Sequence, residues 1–212
     1  MKHRLTTLSI AALFVPYIAI IIGLEYYRNA WIAILLYHAG VILIISIDGH
    51  WDLIADLLHG WRLLPAVGAI LLGGLGGMVL WLIWPWMDPA PVEKLAAMGL
   101  KGGSWLGFAV YLCLVNPCLE EIYWRGHLAR ETSRPSLEDG VFAGYHVLVL
   151  AHFVAWPWVL LSFAALMGAA WIWRRLTKVD RGLLLPLLSH VVANTGVVVV
   201  LHVKSGMPIP FW

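Results

Sequence analysis

The sequence predicts an all-α protein: a polytopic membrane helix bundle of about seven transmembrane helices, with six to eight the range its length allows. Three observations carry this. The 212 residues are 61% hydrophobic and only 12% charged, and their mean hydropathy is +0.83. A soluble domain usually carries about 25% charged residues, so this chain has too little polar surface to keep a fold in water. Its thirteen tryptophans suit the membrane–water boundary, where the ring is buried and the N–H stays wet. The apolar runs are long enough, at about 20 residues each, to cross a bilayer, and at that length they leave no room for a separate soluble domain.

Taken in order, the spans are expected at about 6–24, 31–47, 64–86, 105–125, 138–156, 157–174 and 183–202. The opening Met1-Lys2-His3-Arg4 precedes a long apolar run with no clear small-residue cleavage site, and is read as leading into a retained span. Between the second and third spans, Trp51 to Arg62 reads as an amphipathic interfacial helix. The third span holds Gly73 and Gly77 in a GxxxG pattern that suits close helix packing. The Pro/Gly-rich stretch 88–104 separates an N-terminal part, 1–104, from a four-helix membrane core, 105–212, which carries nearly all the interesting polar residues. Cys113 and Cys118 are five residues apart in one apolar segment, a poor geometry for a disulfide.

Charge placement supports the topology. With the N-terminus in the cytoplasm, the cytoplasmic segments hold Lys2, Arg4, Arg62, Arg125, Arg130, Arg134, Arg174, Arg175, Lys178 and Arg181, and the outer ones Arg28, Lys94, Lys101 and Lys204. Ten against four is the asymmetry of the positive-inside rule.

Ionisable groups inside a bilayer are costly, about 2.5–3.5 kcal/mol each on the insertion scale, and each is a functional candidate by default. Glu120 and Glu121 stand side by side in Asn116-Pro117-Cys118-Leu119-Glu120-Glu121-Ile122-Tyr123-Trp124-Arg125. On a helix Glu121 and Arg125 are one turn apart in the favourable order for an ion pair, whereas Glu120 is rotated by about 100° and lacks that partner. Glu121 with Arg125 is therefore expected to lock the helix end, leaving Glu120 available. Pro117 has no N–H and opens the helix a turn earlier, freeing backbone carbonyls. Further on, Phe142 and His146 share a helix face, His152 follows six residues later, and His190 and Asn194 share a face of the last span.

The order EExxxR, FxxxH, HxxxN resembles the three motifs of the CPBP family, which includes the CAAX prenyl endoproteases and bacterial relatives linked to peptide maturation or bacteriocin immunity. Here they read Glu120-Glu121-Ile-Tyr-Trp-Arg125, Phe142-Ala-Gly-Tyr-His146 and His190-Val-Val-Ala-Asn194, within about residues 105–202. His146 completes FxxxH literally and has its aromatic partner. His152, in Leu-Ala-His-Phe, resembles the family ending Leu-Ala-His-Leu and is the alternative, but Leu148 stands where its Phe would be. Six residues turn a helix by about 240°, so the two histidines cannot serve one position.

The resemblance implies a metal-free glutamic endopeptidase with no cofactor. A buried carboxylate is a stronger base toward water than an exposed one, so Glu120 would activate a water, with Glu121 beside it. His146 would hold the water or pass a proton to the leaving amine, and His190 and Asn194 would donate to the oxyanion. HExxH, which would supply zinc ligands, is absent. The partners expected are the lipid bilayer and a peptide or protein substrate at the membrane, such as a prenylated tail, a leader or a sorting tail, with no nucleic acid. The location expected is the bacterial inner membrane, with the N-terminus cytoplasmic. Three rival readings use the same residues: a zinc-dependent membrane peptidase, a proton-coupled transporter, and a non-catalytic immunity or scaffold protein.

Overall fold

The computed structural model describes residues 7–87, 90–130 and 132–206; Lys2, Arg4 and Asp88 lie outside them. Every expected span coincides with a helix. Helix α1 (Thr7–Ile20) continues in wider π-helical turns to Tyr26, and α2 runs Ala30–Asp48. The one-turn α3 (Leu53–Asp56) precedes α4 (Leu63–Ile83), and the short α5 (Pro91–Ala97) precedes α6 (Gly103–Glu120). The latter carries on in π-helical turns from Glu121 to His127, and α7 (Leu137–Leu150), α8 (Trp156–Asp180) and α9 (Leu184–Ser205) complete the bundle. The described residues form no strand; a single bridge joins Met87 and Val154.

Five of these helices are long and apolar enough to cross a membrane: Ala30–Asp48, Leu63–Trp86, Gly103–His127, Trp156–Asp180 and Leu184–Ser205, with a shorter apolar helix at Ile10–Tyr26. The span expected at 138–156 is shorter than its pattern suggests. Helix α7 has 14 residues, about 21 Å, against a hydrocarbon core of about 30 Å. It starts sharply at a capping box, with Ser136 and Asp139 bonded reciprocally. It ends before Pro157, which occupies the first turn of α8, where a missing N–H costs nothing. The interfacial helix expected from Trp51 to Arg62 shrinks likewise to the single turn of α3.

Polar and apolar residues are distributed as a bilayer requires. Phe14, Ile18, Leu43, Leu71, Leu82, Leu114 and Leu160 are exposed, while Glu120, Glu121, Arg125, His38, Asn116 and His190 are buried. In water such an apolar surface would drive association. The connections gather at two ends, as alternating crossings demand. At one end Leu183 and Leu184 donate N–H bonds to the carbonyls of Asp56 and His59, Arg62 meets Asp180 at 3.0 Å, and His127 meets Asp48 at 3.1 Å. There the buried Arg174 also holds the 130–134 loop by its carbonyls and grips Asp139. At the other end Ala30 donates to Met98 O, Trp31 to Ser104, and Lys94 to His152 O.

The closest crossing is between α4 and α9. A Cβ on Gly77 would come within 2.9 Å of the Gly196 backbone, and one on Gly73 would collide with the Ser189 carbonyl. The GxxxG pattern thus works as a packing device, seating α4 against the helix that carries His190 and Asn194. Both cysteines are free thiols.

Candidate active site

Three helices bring the polar residues together. The end of α6 supplies Glu120, Glu121 and Arg125, α7 supplies Phe142, Tyr145 and His146, and α9 supplies His190 and Asn194. Glu120 is 2% exposed and Glu121 0%. Pro117 lies one turn before Glu121, where the helix widens into i→i+5 turns. Such widenings are frequent at functional sites, and here both glutamates point into the bundle.

His190 lies between the two carboxylates. Its Nδ1 is 2.7 Å from Glu121 Oε1 and its Nε2 is 3.4 Å from Glu120 Oε2. The imidazole stacks on Trp173 at 4.6 Å and 22°, and Trp173 is itself fixed by an N–H bond to Ser189 Oγ at 2.8 Å. Glu121 also receives Arg125, whose Nε is 3.4 Å from Oε2. The Arg125 guanidinium lies over the Phe142 ring at 4.1 Å and the Trp173 ring at 4.8 Å, while its two Nη atoms are buried without hydrogen-bond partners. Two adjacent carboxylates would repel in this dry setting. Arg125 beside them provides opposite charge, and His190 a hydrogen-bonding bridge, which together make the arrangement tenable.

The second motif divides between two places. His146 stands in the glutamate cluster: Phe142 O lies 2.9 Å from its Nδ1, and its Nε2 is 3.3 Å from the Tyr145 hydroxyl, which in turn donates to Glu120 Oε1. His152 lies beyond the end of α7 and pairs with Glu25 at 3.1 Å, among the residues of the Lys94 end. Asn194 donates its amide to Leu112 O at 2.8 Å. That carbonyl is one residue before Cys113, whose carbonyl loses its helical donor at Pro117; the second amide hydrogen of Asn194 is not used by this bond.

Several residues that shape the site were not singled out from the sequence. Tyr145 sits inside the Phe142–His146 motif and touches Glu120 directly. Trp173 braces His190 and Arg125 from α8, a helix that offered no polar motif. His38, buried in α2, makes a second polar cluster, with Nδ1 2.7 Å from Tyr111 OH and Nε2 3.2 Å from Asn116 Oδ1. The signal for His38 was available: a lone ionisable residue in an apolar span.

Residues 102–196 match the family model described as type II CAAX prenyl endopeptidase Rce1-like. The match covers less than half of the 212 residues, and it makes this segment similar to that family. The match bears out the resemblance to the CPBP family and spans every residue of the three motifs, as well as His152. The match supports a CAAX endopeptidase, that is, a protease. No curated protein and no solved structure matches the chain.

Proposed function

We propose that the protein is an intramembrane peptidase that hydrolyses a peptide bond at the membrane with a water activated by Glu120. The observation that carries this is the convergence, inside an apolar bundle, of both glutamates with His190, Arg125, Tyr145 and His146, all within the Rce1-like segment. Burying so many polar groups in an apolar bundle is costly, which makes such a cluster a functional candidate by default.

Roles follow from the contacts. Glu121 is committed to Arg125 and His190, so it fixes the constellation. Glu120 has one oxygen occupied by Tyr145 and the other, Oε2, without a hydrogen-bond partner. That oxygen is the base. His146 is the half-buried member of the cluster and stands where it can hold the water or protonate the leaving amine. Asn194 supplies its second amide hydrogen to the oxyanion as substrate enters, and His190, whose Nδ1 is engaged by Glu121, supplies Nε2–H when its ring carries both hydrogens, a contribution commonly worth about 3 kcal/mol per donor. No step of this scheme calls for a metal. The end that gathers Arg62, Arg130, Arg134 and Arg174 is taken as the cytoplasmic one, by the positive-inside rule, in a bacterial inner membrane. Substrates are membrane-associated chains with a prenylated or sorting tail, or a leader.

The test compares membranes holding the wild type with membranes holding Glu120→Gln, by mass spectrometry of protein termini. A tail or leader released by the wild type alone supports the reading. Purified Glu120→Gln with wild-type turnover would sink it, and activity lost to a chelator and restored by zinc would favour the zinc reading instead.

A further inference from the structure

The hydrogen-bond pattern around Tyr145 assigns it a job that neither the motifs nor the family match describes: we propose that it is the positioning residue that selects the reactive oxygen of Glu120. The inference rests on the peptidase reading above for the identity of the base.

Tyr145 is 4% exposed and its ring is held on several sides. It stacks on Trp124 at 5.8 Å and 12°, meets Phe142 edge-on at 5.6 Å and faces Tyr37 at 5.5 Å. Trp124 cannot rotate away easily, because its indole N–H donates to Tyr37 OH at 2.8 Å. The phenol therefore has little freedom, and its oxygen lies within reach of Glu120 Oε1 and His146 Nε2, with the Tyr37 hydroxyl as a further neighbour.

The protons can be placed by donor and acceptor accounting. The Phe142 carbonyl accepts only, so His146 carries its hydrogen on Nδ1 and leaves Nε2 with a bare lone pair in the neutral ring. The single phenolic hydrogen goes to Glu120 Oε1, the charged and stronger acceptor. Two consequences follow. Oε1 is occupied, so the remaining buried oxygen, Oε2, which makes no hydrogen bond and has His190 Nε2 at 3.4 Å, is the one left to take a proton from water. The bare Nε2 of His146 is held next to the same hydroxyl, so the two basic atoms keep a fixed separation. Without the hydroxyl, the Glu120 carboxylate could turn about its last bond and present either oxygen.

The test uses the full chain in detergent micelles and a fluorogenic peptide ending in a farnesylated CAAX tail, with Tyr145→Phe as the variant, because the ring and its packing are kept. A hydrogen bond to a charged group is worth about 1.5–3 kcal/mol, so kcat should fall about 10- to 100-fold with KM unchanged. Tyr123→Phe is the control: it removes a buried hydroxyl that donates to Ala12 O at 2.7 Å and should leave kcat as it is. A second readout needs no turnover. Infrared carboxylate bands assigned to Glu120 by their loss in Glu120→Gln should shift in Tyr145→Phe and stay put in Tyr123→Phe. Unshifted bands, or wild-type kcat in Tyr145→Phe, overturn the assignment of Tyr145. A wild type that cleaves neither this tail nor a sorting-tail or leader peptide while the bands do shift overturns the peptidase reading instead.

Discussion

Replacing Arg125 by alanine tests how the buried charges are balanced. The guanidinium is 4% exposed, its Nε is 3.4 Å from Glu121 Oε2, and its faces lie on Phe142 and Trp173. Removing it leaves Glu121, itself 0% exposed, with the His190 imidazole as its remaining side-chain partner among the contacts described. Breaking a buried pair from one side costs about 3–5 kcal/mol, because the other charge is stranded. The lost contact with two aromatic faces belongs to the same loss, and a desolvated cation–π contact alone is worth about 2 kcal/mol. Against a folding stability of about 5–15 kcal/mol, that is a large share. Lysine should not rescue it, since an ammonium cannot lie flat on both rings while meeting the carboxylate. Unfolding in mixed micelles, followed by tryptophan fluorescence, measures the loss. The decisive arm is a double-mutant cycle with Glu121→Gln: if the charges stabilise one another, the double variant should recover up to about 3 kcal/mol relative to the sum of the single losses. An Arg125→Ala protein within 1 kcal/mol of wild type, or a strictly additive cycle, would refute the charge-balance argument.

Other outcomes can be stated briefly. His146→Ala should abolish turnover while His152→Ala reduces it only in part, at equal expression; the reverse pattern would move the second-motif histidine to the Glu25 end of the bundle. Asn194→Ala should lower kcat by about 10²–10³ with little change in KM if its amide serves the oxyanion, and a main effect on melting temperature would reduce it to a brace on Leu112 O. Gly77→Leu should cost about 1–3 kcal/mol or more through overpacking against Gly196, seen as a lower melting temperature, whereas Gly68→Leu, where a Cβ meets nothing within 4 Å, should be close to neutral.

Much of the fold could be read from the chain because a bilayer imposes a coarse, one-dimensional rule. Apolar runs of fixed length must become helices, since no water is present to satisfy free backbone groups. That rule located the long helices, missed the short α5 inside the 88–104 connection, and set α7 too long, because apolarity continues past Leu150 while the turn before Pro157 is a local backbone matter. The glutamate pair, its arginine and the histidines could be listed from sequence for the same reason: charges in an apolar run stand out. Which of them meet could not. His146, favoured by its partner Phe142, and its alternative His152 both fit on paper, yet one lies beside Glu120 and the other beside Glu25, because a six-residue step on a helix that ends between them sends the side chains to different places. Tyr145 and Trp173 gave no signal of partnership, since aromatic residues are common in membrane helices and their roles arise only from contacts between helices far apart in the chain. Composition and motif order determined that this is a membrane helix bundle with a Glu–Glu–Arg centre. Tertiary packing alone decided that His190 bridges both carboxylates and that a tyrosine holds one oxygen of Glu120, because hydrogen bonds are set by distances of a few tenths of an ångström that no sequence spacing encodes.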